Sequence, residues 1–149
     1  MNLEIFLTPD NVLVDVEASD KARLLAKMCD RIAGKLSLDA EAVLQELLKR
    51  EALGSTGVGA GAAIPHARIA GLSAPVGAFA RLRKPMNFES IDGQPVDLVF
   101  LLLAPATASG DHLKILAAVA RKLRDPATLT ALRGARDEVA VYKAIVAPI

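Results

Sequence analysis

The chain has 149 residues, 52% of them hydrophobic and 23% charged, with a formal net charge of +1. That is the length and balance of one domain able to bury its own core, and residues 1–149 are read as a single domain without the basic excess that would draw nucleic acid. One cysteine excludes an internal disulfide, and two histidines beside it leave too few soft ligands for a structural zinc site. The opening residues MNLEIFLTPD lack a basic start and a long apolar stretch, and the longest apolar run, Leu98 to Ala104, is too short to span a bilayer. A cytoplasmic protein with no membrane insertion is expected.

A short first element ends near Pro9. NVLVDV alternates and is β-branched, which predicts a strand over Val12–Val16. Ser19 is a good N-cap for a helix reaching about Lys35, with Leu24, Leu25, Met28 and Ile32 as its buried stripe and Cys29 on the same face. Asp39 can cap a second helix running to about Leu53, with Val43, Leu44, Leu47 and Leu48 recurring at helical spacing. Arg50 falls in its last turn, where a cation suits the negative end of the helix dipole.

AAIPH reads as a short extended segment. PVGAFARL from Pro75 and PVDLVFLLLAP from Pro95 read as strands, the second apolar enough to be buried on both faces. PMNFESIDGQ between them carries turn signals, notably Asp92-Gly93. SGDHLKILAAVARKL begins a third long helix, capped by Ser109 or Asp111, with His112, Ile115, Leu116, Val119 and Leu123 on one face. Asp125-Pro126 ends it. Two shorter helices follow, near Ala127–Arg133 and Asp137–Ile145. The mixture predicts an α/β sandwich around a central sheet.

The stretch GSTGVGAGAAIPHAR, from Gly54 to Arg68, concentrates flexible backbone next to a proline and a histidine. Three readings compete for it. A Walker-type phosphate loop needs Gly-Lys-Ser/Thr at its end, and no lysine occurs between Lys49 and Lys84. Gly57, Gly59 and Ala62 fit a loose dinucleotide pattern, but they follow a helix and lead into Ile-Pro-His, with no acidic residue near position 80 to hold a ribose. A bare structural turn explains the glycines and leaves His66 without a role. A presented nucleophile explains both. Pro65 fixes its own φ and pushes Ile64 into an extended shape, so His66 leaves a rigid segment in one direction. Neutral imidazole is a competent nucleophile near pH 7. His112, in the first turn of the third helix and on its inward face, is either a capping and packing residue or part of the same site, since a helix N-terminus suits a phosphoryl group.

Glu51, then Val58-Gly59, then AAIPHA follow the order of a phosphorylation motif: an acidic or amide residue, an aliphatic-small pair, and a closing aliphatic-Ala-aliphatic-Pro-His-small. On these residues the sequence resembles the enzyme IIA family of the bacterial phosphoenolpyruvate phosphotransferase system, fructose/mannitol type, and within it the nitrogen-type regulatory IIA proteins. REALGSTGVG, GQPVDLVFLLLAP and DHLKILAAVARKLRD extend the resemblance over most of the chain. Ala62 stands where a larger aliphatic residue is usual, and Ala60 where Asn is common.

The resemblance implies a three-layer α/β/α sandwich with a central mixed sheet. It implies a phosphocarrier with an HPr-like protein as donor and no metal or organic cofactor. His66 would accept the phosphoryl group on Nε2, and His112 would hydrogen-bond it. Arg50 would offset its charge. Arg68, two residues beyond His66, is either a further cation of the site or an exposed loop charge. Ser55 and Thr56 serve the site or cap the loop. The group would pass to a IIB domain for sugar uptake, or its presence would signal to regulatory target proteins.

Overall fold

The computed structural model describes residues 2–107 and 110–148. Two short 3-10 turns, Leu3–Ile5 and Pro9–Asn11, replace the expected first element. Then come β1 (Val12–Val16), α1 (Lys21–Ala33), α2 (Ala40–Leu53), β2 (Gly57–Gly59), β3 (Ala62–Ala63) and β4 (His66–Ile69). The chain continues with β5 (Val76–Met86), β6 (Val96–Pro105), α3 (Asp111–Lys122), α4 (Pro126–Gly134) and α5 (Glu138–Val146).

The strands form one mixed sheet in the order β1-β5-β6-β3-β2, with β4 also paired to β6. β1 runs parallel to β5, β5 antiparallel to β6, and both β3 and β4 parallel to β6. Alternation along β6 divides the core. Val99, Leu101 and Leu103 pack with Leu24, Leu25, Met28 and Ile32 of α1 and with Val43 and Leu47 of α2. Leu98, Phe100 and Leu102 pack on the opposite side with Ile115 and Val119 of α3, Leu132 of α4, and Val141 and Ile145 of α5. Helices cover both faces, so the sandwich has three layers. Each large side chain removed from water in these layers contributes about 1.5–3 kcal/mol. Among the described residues, no helix is long and apolar enough to cross a membrane.

Several boundaries differ from expectation. Asp20, not Ser19, caps α1: its carboxylate accepts from the Arg23 N–H at 2.8 Å, and Ser19 instead bonds the Arg23 guanidinium. A carboxylate facing a helix N-terminus gains from the dipole as well as from the hydrogen bond, so it wins over the adjacent hydroxyl. Gly110 is the N-cap of α3, with no side-chain cap bond, and Asp111 is its first helical residue. Ser109 lies outside the described residues. β5 runs on through Pro85 to Met86, where its register with β6 slips.

The glycine stretch is not an open loop. β2 and β3 form a hairpin whose turn residues, Ala60 (φ 55°) and Gly61 (φ 78°), both take left-handed backbone, as the tight turn between twisted strands requires. Gly57 and Gly59 lie in β2 and Ala62 in β3, so the pattern runs through a hairpin and not from a strand into a helix, which removes the basis of the dinucleotide reading. Gly57 is needed for space. A Cβ there would sit 2.1 Å from Ser90 Oγ and 2.8 Å from Ser90 Cβ. The hydroxyl can swing away but the Cβ cannot, so Gly57→Ala is expected to cost about 1–3 kcal/mol in chemical denaturation. Adding Ser90→Gly should return most of that loss; no recovery would place the strain elsewhere.

Candidate functional site

Ala62, Ala63, His66 and Ala67 keep one register along β6, opposite Leu98, Val99, Leu102 and Leu103. β3, Ile64, Pro65 and β4 are therefore a single extended run. The run survives the proline because Pro65 needs only to accept, and its carbonyl takes the Leu102 N–H at 2.9 Å. The Ile64 N–H, on the other side, goes to the Thr56 carbonyl at 3.0 Å. Alternation turns Ala63, Ala67 and Ile69 toward α1 and α2, and turns Ile64, His66 and Arg68 toward the α3 layer.

His66 is half-buried, and its Nδ1 lies 2.8 Å from the Ile64 carbonyl oxygen. A carbonyl can only accept, so Nδ1 carries the proton and Nε2 keeps a free lone pair. Burial pushes the His66 pKa below the ordinary histidine value; the Ile64 hydrogen bond opposes this, the Arg50 charge adds to it and the Glu51 charge opposes it. The neutral, nucleophilic form therefore prevails at neutral pH.

His112, the second residue of α3, is 7% exposed, and its ring centroid lies 5.7 Å from that of His66 with the planes 50° apart. The helix start does meet the proline-mounted imidazole. Burial lowers the His112 pKa too, followed by the charges of His66 and Arg68. Its Nδ1 is buried with no hydrogen-bond partner among the described residues. An unmet buried nitrogen costs about 1–3 kcal/mol, and here that cost is carried beside the His66 ring.

Arg50 and Leu53 from α2, His66 and Arg68 from β4, and His112 line a cleft of about 330 Å³. Arg50 caps its own helix through Nη1 to the Gly54 carbonyl at 2.8 Å, so the end-charge role is real and the same cation borders the cleft. Arg68 is exposed at the rim. Ser55 and Thr56 serve the loop. The Ser55 hydroxyl donates to the Phe88 carbonyl and accepts from the Gly57 N–H, while the Thr56 hydroxyl donates to Glu51. A larger cleft of about 560 Å³ separates residues 2–4 from α3 and α5. Lys122 lines it, but its Nζ caps the end of α5 by donating to the Ala147 carbonyl, and its described lining includes neither His66 nor His112.

The family model described as the phosphoenolpyruvate-dependent sugar phosphotransferase system, EIIA 2, matches residues 5–147. The chain belongs to this family. Among its EIIA 2 relatives is a "Nitrogen regulatory protein" of Bradyrhizobium diazoefficiens, 44% identical over 99% of this chain and 97% of that one. One of the same description from Pseudomonas aeruginosa is 40% identical over 98% and 96%. A solved structure described as nitrogen regulatory protein IIA-Ntr from Neisseria meningitidis superposes with a TM-score of 0.91 at 36% identity, covering 96% of this chain and 98% of that chain. The three-layer mixed-sheet architecture is thus that of an EIIA 2 protein over nearly all of the chain.

What the sequence reading missed is the use of Glu51, treated there as the first letter of a motif. Val43, Leu47 and Glu51 are spaced four apart, and all three are buried. A carboxylate on the buried stripe of a helix was the available signal.

Proposed function

We propose that the protein is a phosphocarrier that takes a phosphoryl group onto His66 Nε2 from a phosphohistidine on an HPr-like protein and reports its phosphorylation state to regulatory targets. The observation that carries this reading is the His66 imidazole itself. It is neutral, fixed by Nδ1–H on the Ile64 carbonyl, open at Nε2, and 5.7 Å from a buried histidine with an unmet nitrogen.

In the transfer, the Nε2 lone pair forms the new N–P bond while the bond to the donor's imidazole breaks, its electron pair returning to that ring. The proton stays on Nδ1 throughout, donated to the Ile64 carbonyl. Because one phosphohistidine replaces another, the protein's task is position and charge stabilisation. His112 donates to a phosphoryl oxygen, Arg50 offsets the doubly negative group, and Arg68 adds positive potential at the rim.

The regulatory role is supported by relatives named for nitrogen regulation that match end to end. The test compares transfer from two purified, phosphorylated carriers, one from a sugar branch and one from a nitrogen branch, followed over time by native gels. Faster transfer from the nitrogen-branch carrier is expected. Faster transfer from the sugar-branch carrier, with onward passage to a IIB domain, would establish the transport role instead.

A further inference from the structure

Glu51 is a buried charge that the transfer just described does not use. It is 8% exposed, next in the chain to Arg50 but turned inward. Its Oε2 accepts from Lys21 Nζ at 3.0 Å and from the Thr56 N–H at 3.4 Å, and its Oε1 accepts from the Thr56 hydroxyl. The Lys21 ammonium, held over the Phe88 ring at 4.8 Å, balances the carboxylate. The row continues through the backbone. The Thr56 carbonyl accepts the Ile64 N–H at 3.0 Å, and the Ile64 carbonyl accepts the His66 Nδ1–H at 2.8 Å. An unbroken series of hydrogen bonds thus joins Lys21 at the start of α1 to the imidazole on β4.

We infer that Glu51 is a positioning residue for His66: through Thr56 and the Ile64 peptide it sets the imidazole's tautomer and direction. This rests on the reading of His66 as the acceptor. The physical need is plain in the intervening sequence. β3 is paired to β6, but Gly54, Gly57, Gly59 and Gly61 supply no side chains to lock the β2 side of the hairpin, so that side is held by contacts from other elements. The far end is pinned by Arg133, whose Nη2 donates to the Ala60 carbonyl at 2.7 Å. The near end needs an acceptor for two Thr56 donors at once, the hydroxyl and the N–H, and a carboxylate with two oxygens supplies it. If that end tilts, the Ile64 carbonyl turns with it. Nδ1–H then loses its partner, and the proton can move to Nε2, which abolishes the free lone pair.

The test reads the imidazole directly in unphosphorylated, 15N-labelled full-length protein. In the wild type, His66 should show a protonated Nδ1 and an unprotonated Nε2. Glu51→Gln should mix the two tautomers at His66 and slow transfer within the carrier complex by about 10- to 100-fold at unchanged KM for the carrier. Thr56→Val should reproduce both effects, and Thr56→Ser should restore both. Wild-type tautomer and rate in folded Glu51→Gln, or in Thr56→Val, would overturn the inference. So would a raised KM at unchanged rate, which would mean a docking role. Should Glu51→Gln fail to fold, the comparison of Thr56→Val with Thr56→Ser decides: equal tautomers and rates in that pair refute the inference. Failure of the acceptor reading looks different, because the wild type then takes no phosphoryl group while the tautomer change is still observed.

Discussion

His66→Ala protein is expected to take up no phosphoryl group when mixed with phosphoenolpyruvate, enzyme I and the carrier, whereas the wild type takes one. Intact mass reads the addition, and the adduct should be labile in acid and stable in base, as an N–P bond is. The expectation follows by comparing nucleophiles. Cys29 is buried in the α1 layer, and burial pushes its thiol pKa up to about 12, so it offers neither access nor thiolate. His112 is 7% exposed. His66 and His112 line the same cleft, but only His66 of the two is half-exposed, with Nδ1 protonated and the Nε2 lone pair left free. Full labelling of His66→Ala would move the acceptor elsewhere.

The pH dependence carries a definite sign. Protonating Nε2 removes the lone pair, so the transfer rate should hold from pH 8 through neutrality and fall as pH drops through the lowered His66 pKa. Stability should follow the same direction. With the folded pKa below the unfolded one, the unfolded chain binds more protons once pH falls below the ordinary histidine value of about 6.5. The folded state therefore gains nothing above that value and loses stability below it, down to the folded pKa. His112 shifts the same way and adds to the loss.

Much of this molecule is legible in its sequence because apolar side chains report their surroundings. The continuous run in β6 announced a strand covered on both faces, and Asp39 marked the start of α2 as its N-cap. Pro65-His66 was legible for a different reason: proline constrains the backbone by covalent geometry, whatever the tertiary context. β3 was legible as part of the extended AAIPH segment, but β2 and the hairpin it makes were hidden because glycine-rich sequence carries no pattern by which a strand is recognised. The Lys21–Glu51–Thr56 row was hidden because it joins α1, α2 and the link before β2, with Lys21 and Glu51 thirty positions apart in the chain, and pairing at that distance exists only once the sheet has placed the helices. The meeting of His66 with His112 belongs between these cases. Periodicity turned His112 inward, but its neighbour there is chosen by the register of β4 on β6.

His112→Ala separates the role of that second histidine from simple packing. A hydrogen bond to a charged group is worth about 1.5–3 kcal/mol. If His112 makes its bond to the phosphoryl mainly in the transition state, its removal should slow transfer by roughly 10- to 150-fold, measured by quenched flow, without preventing eventual labelling of His66. Stability should move little. The variant loses some packing, but it also removes a buried nitrogen that has no partner among the described residues, and deleting an unmet polar group relieves its desolvation penalty. The contrast is diagnostic because a packing residue behaves the other way. Its truncation would lower the melting temperature and leave the rate per folded molecule intact. An unchanged transfer rate in well-folded His112→Ala protein would mean that the start of α3 lies beside His66 without touching the group that His66 receives.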